Sequence, residues 1–100
     1  MFTVRLTTEF QDWLDELTEK RVQIRIVARI RQAEAGNLGD WAPIEGPLSE
    51  MRVHIGPGYR LYFSRKGNVL LILLCGGTKS TQACDIKRAK QILKDLEADL

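Results

Sequence analysis

From Glu50 to Phe63 the chain reads Glu-Met-Arg-Val-His-Ile-Gly-Pro-Gly-Tyr-Arg-Leu-Tyr-Phe, with apolar and polar side chains alternating on both sides of a Gly-Pro-Gly turn. A period of two puts successive side chains on opposite faces of a strand, so this stretch predicts a β-hairpin with one buried face. Met51, Val53 and Ile55 share a face that suits a core, as do Tyr59, Leu61 and Phe63. Arg52, His54, Arg60 and Tyr62 then project together from the other face.

The rest of the pattern supplies three helices and two further strands. Phe2 to Leu6 alternates and predicts a short first strand. Thr7 or Thr8 caps a helix in which Phe10, Trp13, Leu14 and Leu17 recur at i, i+3, i+4 and i+7, ending near Glu19 or Lys20. A second helix runs from about Arg21 to Ala35, is stopped by Gly36-Asn37, and should form a hairpin with the first. Asn37 to Leu48 has no period and several turn-forming residues, which predicts a loop pinned by Trp41. After a turn at Lys66-Gly67-Asn68, Val69 to Cys75 is apolar at every position and reads as a central strand covered on both faces. Gly76-Gly77-Thr78-Lys79-Ser80 opens a final helix with an apolar stripe of Ile86, Ala89, Leu93, Leu96 and Leu100. The expected fold is a small α+β domain: a mainly antiparallel sheet of four strands, with the helical hairpin and the C-terminal helix packed on one face and the other face partly open.

Composition narrows the classes. One hundred residues suit one domain with one core. No apolar run approaches the ~20 residues of a membrane-spanning helix, and no basic segment leads into an apolar one at the start. A soluble, cytoplasmic protein with no membrane partner is expected. Two cysteines and one histidine indicate neither a disulfide framework nor a Cys/His metal site, and no cofactor is expected. The net charge of +2 decides little about partners. The arrangement says more: Arg21, Arg25 and Arg29 line one stripe of the second helix, either a solvated face or a surface for RNA phosphate or an acidic partner.

The order of elements and a series of short motifs together resemble a known family. The motifs are Gly36-Asn37-x-Gly39-Asp40, Glu50-x-Arg52, Gly56-Pro57-Gly58-Tyr59-Arg60-x-Tyr62, and Leu74-Cys75-Gly76-Gly77-x-Lys79-Ser80 running into Asp85-Ile86-x-x-Ala89. In this order and spacing, from about Phe2 to Leu93, they resemble the addiction-module killer proteins of the RelE/ParE toxin superfamily. The resemblance implies a RelE/ParE-like domain and a toxin neutralised by a cognate antitoxin, a small helix-turn-helix DNA-binding protein. It implies either cleavage of messenger RNA on the ribosome or, as in the ParE branch, inhibition of DNA gyrase.

The residues themselves suit the first activity. Metal-independent RNA cleavage uses the 2′-hydroxyl as nucleophile and needs a base, an acid and cations for the phosphorane charge. Arg52, Arg60 and Lys79 are the candidate cations, the arginines as bidentate forks. His54 is the candidate proton carrier, with Tyr62 next if nearby cations lower its pKa. Lys79 also stands just before a helix N-terminus, where backbone amides favour anions. The segment lacks the Gly-Lys adjacency of a P-loop, so ATP or GTP binding is rejected. A gyrase inhibitor needs no proton carrier, and a non-catalytic RNA-binding module would use the same basic face.

Overall fold

The computed structural model describes residues 1–98. Its elements are β1 (Thr3–Leu6), α1 (Thr8–Glu16), α2 (Lys20–Glu34), β2 (Trp41–Glu45), β3 (Leu48–Val53), β4 (Tyr59–Lys66), β5 (Leu70–Thr78), a 3-10 turn (Lys79–Thr81) and α3 (Gln82–Ala98). Leu100, assigned above to the stripe of the last helix, lies outside the described residues.

The sheet has five strands, not four, in the order β1-β5-β4-β3-β2. The extra strand is β2, inside the stretch expected to be a loop. Its Trp41-Ala42-Pro43-Ile44-Glu45 pairs antiparallel with β3 through a bulge between Pro43 and Glu45. Proline cannot donate to a ladder and is tolerated on an edge strand or at a bulge, and β2 is both edge and bulged. The sheet is mixed, because β1 lies parallel to β5, with Thr3 opposite Leu70 and Leu6 opposite Leu73.

Helices pack on both faces, which corrects the expectation that all three lie on one; α3 covers part of the second face and leaves the end with Arg52 and Arg60 open. On the first face Phe10 and Leu14 of α1 and Val22, Ile26, Ile30 and Ala33 of α2 bury against Met51, Val53, Leu61, Phe63, Leu71 and Leu73. On the second, Ala89, Ile92 and Leu93 of α3 bury against Leu48, Tyr62, Leu74 and Cys75. Each fully buried leucine or isoleucine here stabilises by roughly 1.5–3 kcal/mol. The unbroken apolar run of β5 follows from this sandwich: Leu71 and Leu73 face the hairpin, Ile72 and Leu74 face α3.

Local chemistry sets the boundaries. The Thr7 hydroxyl accepts from the Phe10 amide at 3.0 Å and starts α1. That helix ends at Glu16, earlier than its periodicity predicts, because Leu17 turns extended and packs into the first core. Strand β5 continues through Gly76 and Gly77, which were expected to open a helix. A side chain at Gly76 would strike the Trp13 ring, and one at Gly77 would strike the Asp85 carboxylate. Both glycines allow close approach of a helix to the strand.

Candidate functional site

The β3–β4 hairpin has the alternation expected of it, and its register places Arg52 directly opposite Arg60 and Glu50 opposite Tyr62. Gly56 and Gly58 both have positive φ in the turn, at +55° and +84°, which lets it close tightly enough for Lys79 to reach it. The Lys79 amide donates to the Gly58 carbonyl at 3.2 Å, bringing the end of β5 against the turn. The result is a small concavity of about 110 Å³ lined by Arg52, His54, Gly58, Tyr59, Arg60 and Lys79. Four of the five residues singled out from the sequence thus meet at one place.

Tyr62 is the exception. It is fully buried beneath α3, and its hydroxyl has no hydrogen-bond partner. Burial pushes its pKa well above the ordinary phenol value, and the carboxylates of Asp85 and Glu50 add to the rise against the opposing charge of Arg60. A phenol held protonated inside a core is no proton carrier, which corrects the role expected of it. The strand alternation had placed it on the correct face. That α3 closes this end of the face is a tertiary fact.

Two carboxylates at the site, Glu50 and Asp40, stand in the motif series but were given no role there. Glu50, its side chain 5% exposed, accepts through one oxygen, Oε2, from Arg52 Nε–H at 3.2 Å and from Arg60 Nη1–H at 2.5 Å. Its i, i+2 spacing to Arg52 on a strand was the available signal, since such residues share a face. Asp40 accepts from Arg52 Nη1–H at 3.3 Å through Oδ1 and from His54 Nε2–H at 2.6 Å through Oδ2. The hydrogen bond from His54, helped by the charge of Arg52, holds its carboxyl below the usual carboxylate range. A carboxylate only accepts, so Nε2 of His54 carries the proton. In the neutral ring Nδ1 is then the atom free to take one.

Asp40 is held in place by Arg29. The guanidinium Nη2 of Arg29 donates to the carbonyls of Leu38 at 3.1 Å, Asp40 at 3.3 Å and Arg52 at 3.4 Å, strapping α2 to the 37–40 segment and to β3. Gly39, at φ +63°, leaves room for it, since a Cβ there would overlap the Arg29 guanidinium. The Asn37 side chain accepts the Gly39 amide at 2.9 Å and sets the turn. Arg29 therefore leaves the solvated stripe expected on α2, while Arg21 and Arg25 remain exposed.

The site sets three cations, Arg52, Arg60 and Lys79, against two carboxylates, with one titratable imidazole at the rim. Lys79 makes no ion pair among the described residues. Such a surface can hold a single phosphate group between two oriented guanidiniums and an ammonium, with a proton acceptor beside it.

No family model matches the chain. Over 93 residues, covering 93% of this chain and 94% of the other, it is 42% identical to an uncharacterized protein of Haemophilus influenzae. Identity at that level across nearly the full length of both means that the chain belongs to the same family as the Haemophilus protein.

Proposed function

We propose that this protein is the toxin of a toxin–antitoxin pair, with a RelE/ParE-like fold, and that it cuts messenger RNA on the ribosome. The observation that supports the chemistry is the convergence of Arg52, Arg60, Lys79 and His54 on one concavity. The toxin class rests on the motif series, from Gly36-Asn37-x-Gly39-Asp40 to the Lys79 segment.

In this reading the scissile phosphate sits between the two guanidiniums. Their N–H groups take the charge that builds on the non-bridging oxygens as the 2′-oxygen forms its bond to phosphorus and the bond from phosphorus to the 5′-oxygen breaks. His54 Nδ1 takes the proton of the 2′-hydroxyl. The leaving 5′-oxygen takes a proton from solvent. Lys79 contributes charge at the edge of the site. The products are a 2′,3′-cyclic phosphate and a free 5′-hydroxyl.

A cognate antitoxin, a small helix-turn-helix DNA-binding protein, silences the toxin by covering the Arg52/Arg60 concavity or by wrapping the α1–α2 hairpin. Support for the second surface comes from α2. Lys20, Arg21, Arg25 and Arg31 are exposed there and make no ion pair among the described residues, and Ile24, 63% exposed, stands between them. A ribosomal target puts the site of action in the cytoplasm, and no helix of the described residues is long and apolar enough to cross a membrane.

Gyrase inhibition is the second reading, favoured by the burial of Tyr62, which leaves one proton carrier at the site. Pulse labelling soon after induction without antitoxin separates the two. The nuclease reading expects a prompt fall in protein synthesis with mapped breaks in messenger RNA. A prompt fall in DNA synthesis with induction of the SOS response would replace it with the gyrase reading, and unaffected growth would remove both.

A further inference from the structure

Two arginines directly opposite each other on neighbouring strands repel, and a like-charge pair in that position ordinarily destabilises a sheet. Arg52 and Arg60 occupy such a position. What lets them coexist is Glu50, two residues before Arg52 on the same face, whose buried Oε2 accepts one N–H from each. A carboxylate buried to this degree must be paired. Here one oxygen serves two guanidiniums, fixing both with a single group.

The bonding also decides which donors remain. Arg52 commits Nε to Glu50 and Nη1 to Asp40, and Arg60 commits Nη1 to Glu50. Among the described residues the other N–H groups of both forks make no hydrogen bond and are left for the concavity that the two residues line. Each guanidinium is therefore oriented before any phosphate arrives, and no ordering is needed during the reaction. Glu50 also lowers the resting charge of the site by one. That weakens its hold on an ordinary phosphodiester without removing the donors that meet the added charge of the transition state.

We propose that Glu50 is the positioning residue of this site: it trades affinity for RNA in the ground state for alignment of Arg52 and Arg60 in the transition state. The proposal rests on the reading that the concavity receives an RNA phosphate.

Three measurements on the full chain test it. The first is the NMR signal of the two bonded groups, Arg52 Nε–H and Arg60 Nη1–H, slow to exchange in the wild type and averaged with solvent in Glu50→Gln. The second is binding of a 12-residue uridine RNA. Glu50→Gln binds several-fold to about tenfold tighter, with a salt dependence steeper by about one ion, as one more uncompensated cation requires. The third is cleavage of ribosome-bound messenger RNA, which falls about tenfold or more in the same variant. Glu50→Asp keeps the charge but withdraws the oxygen by one methylene, so it binds the uridine RNA like the wild type while still cleaving slowly. A merely structural role for Glu50 predicts instead that binding and cleavage fall together with stability. That result, or unchanged arginine signals in Glu50→Gln, overturns the proposal. If Glu50→Gln does not fold, Glu50→Asp decides through its arginine signals and cleavage rate, and wild-type values for both overturn the proposal. A wild-type protein that neither binds nor cleaves RNA sinks the nuclease reading, and the arginine signals still report whether Glu50 positions the pair.

Discussion

The concavity of the β3–β4 hairpin and the outer face of α2 carry comparable positive charge and hold it in opposite ways. In the concavity Arg52, Arg60 and His54 are each bonded to a carboxylate, Glu50 or Asp40. On α2, Lys20, Arg21, Arg25 and Arg31 make no ion pair among the described residues and point into solvent beside an exposed isoleucine. The first arrangement fixes direction at the cost of net charge. The second keeps charge and gives up direction. Directed donors suit a reaction in which charge develops at one point, whereas free cations suit steering and docking of a large acidic partner. Arg29 marks the boundary between the two regions, since it starts from α2 and spends its donors on backbone carbonyls of the site.

The largest effect expected to test this contrast is on activity. Arg60→Ala, with its fold verified by circular dichroism, should lose on the order of 10²-fold or more in cleavage of ribosome-bound messenger RNA, because it removes an oriented charge from the transition state. His54→Ala should lose less, since water can carry the proton. Arg21→Gln with Arg25→Gln should cleave at the wild-type rate. A folded Arg60→Ala that cuts normally would break the distinction between the two regions.

Stability offers the next difference, read by urea unfolding. Arg60→Ala leaves Glu50 buried with Arg52 as its remaining partner and should cost about 1.5–3 kcal/mol, the usual range for a lost hydrogen bond to a charged group. Arg21→Gln sits on an open helix face and should change stability by less than about 0.5 kcal/mol. Removing Glu50 and Arg60 together should cost less than the sum of the two single changes, because the pair is lost only once.

Salt sharpens the comparison at a smaller scale. Binding of an acidic partner to the α2 face should weaken steeply with ionic strength, since its cations are solvated and unscreened by nearby carboxylates. Replacing Arg21 and Arg25 by glutamine should flatten that dependence, measured by titration calorimetry at several salt concentrations.

The smallest effect concerns pH. Asp40 has a folded-state pKa below its unfolded value, held there chiefly by His54. Its contribution to stability is therefore present above the ordinary carboxylate range near ~3.9 and is lost as the pH falls through the lower folded value. The stability advantage of wild type over Asp40→Asn at pH 5 should shrink toward zero in more acid solution. An advantage that stays constant would mean that Asp40 contributes through packing alone.

Much of this architecture was legible in short-range pattern. Alternation from Met51 to Phe63 specified the hairpin and its inward face, the spacing of Phe10, Trp13 and Leu14 specified α1, and the apolar run of β5 announced a strand covered on both sides. Each of these follows from the geometry of a single helix or strand, in which side-chain direction depends only on local dihedral angles. The convergence of Arg52, Arg60 and His54 was readable for the same reason, since they ride on one hairpin.

Tertiary structure decided the rest. Strand β2 has weak strand signals and exists because its bulged edge finds the ladder of β3. Tyr62 looked like a surface phenol and is a core residue because α3, distant in sequence, closes over it. Asp40 reaches Arg52 and His54 because the Arg52 amide and the Arg29 guanidinium both bond its carbonyl and hold its loop against β3. The periodicity of one element states which way its side chains point. It carries no information about which distant segment will arrive on that side, and on that arrival depend the burial of a hydroxyl, the pairing of a charge and the proton held by a histidine.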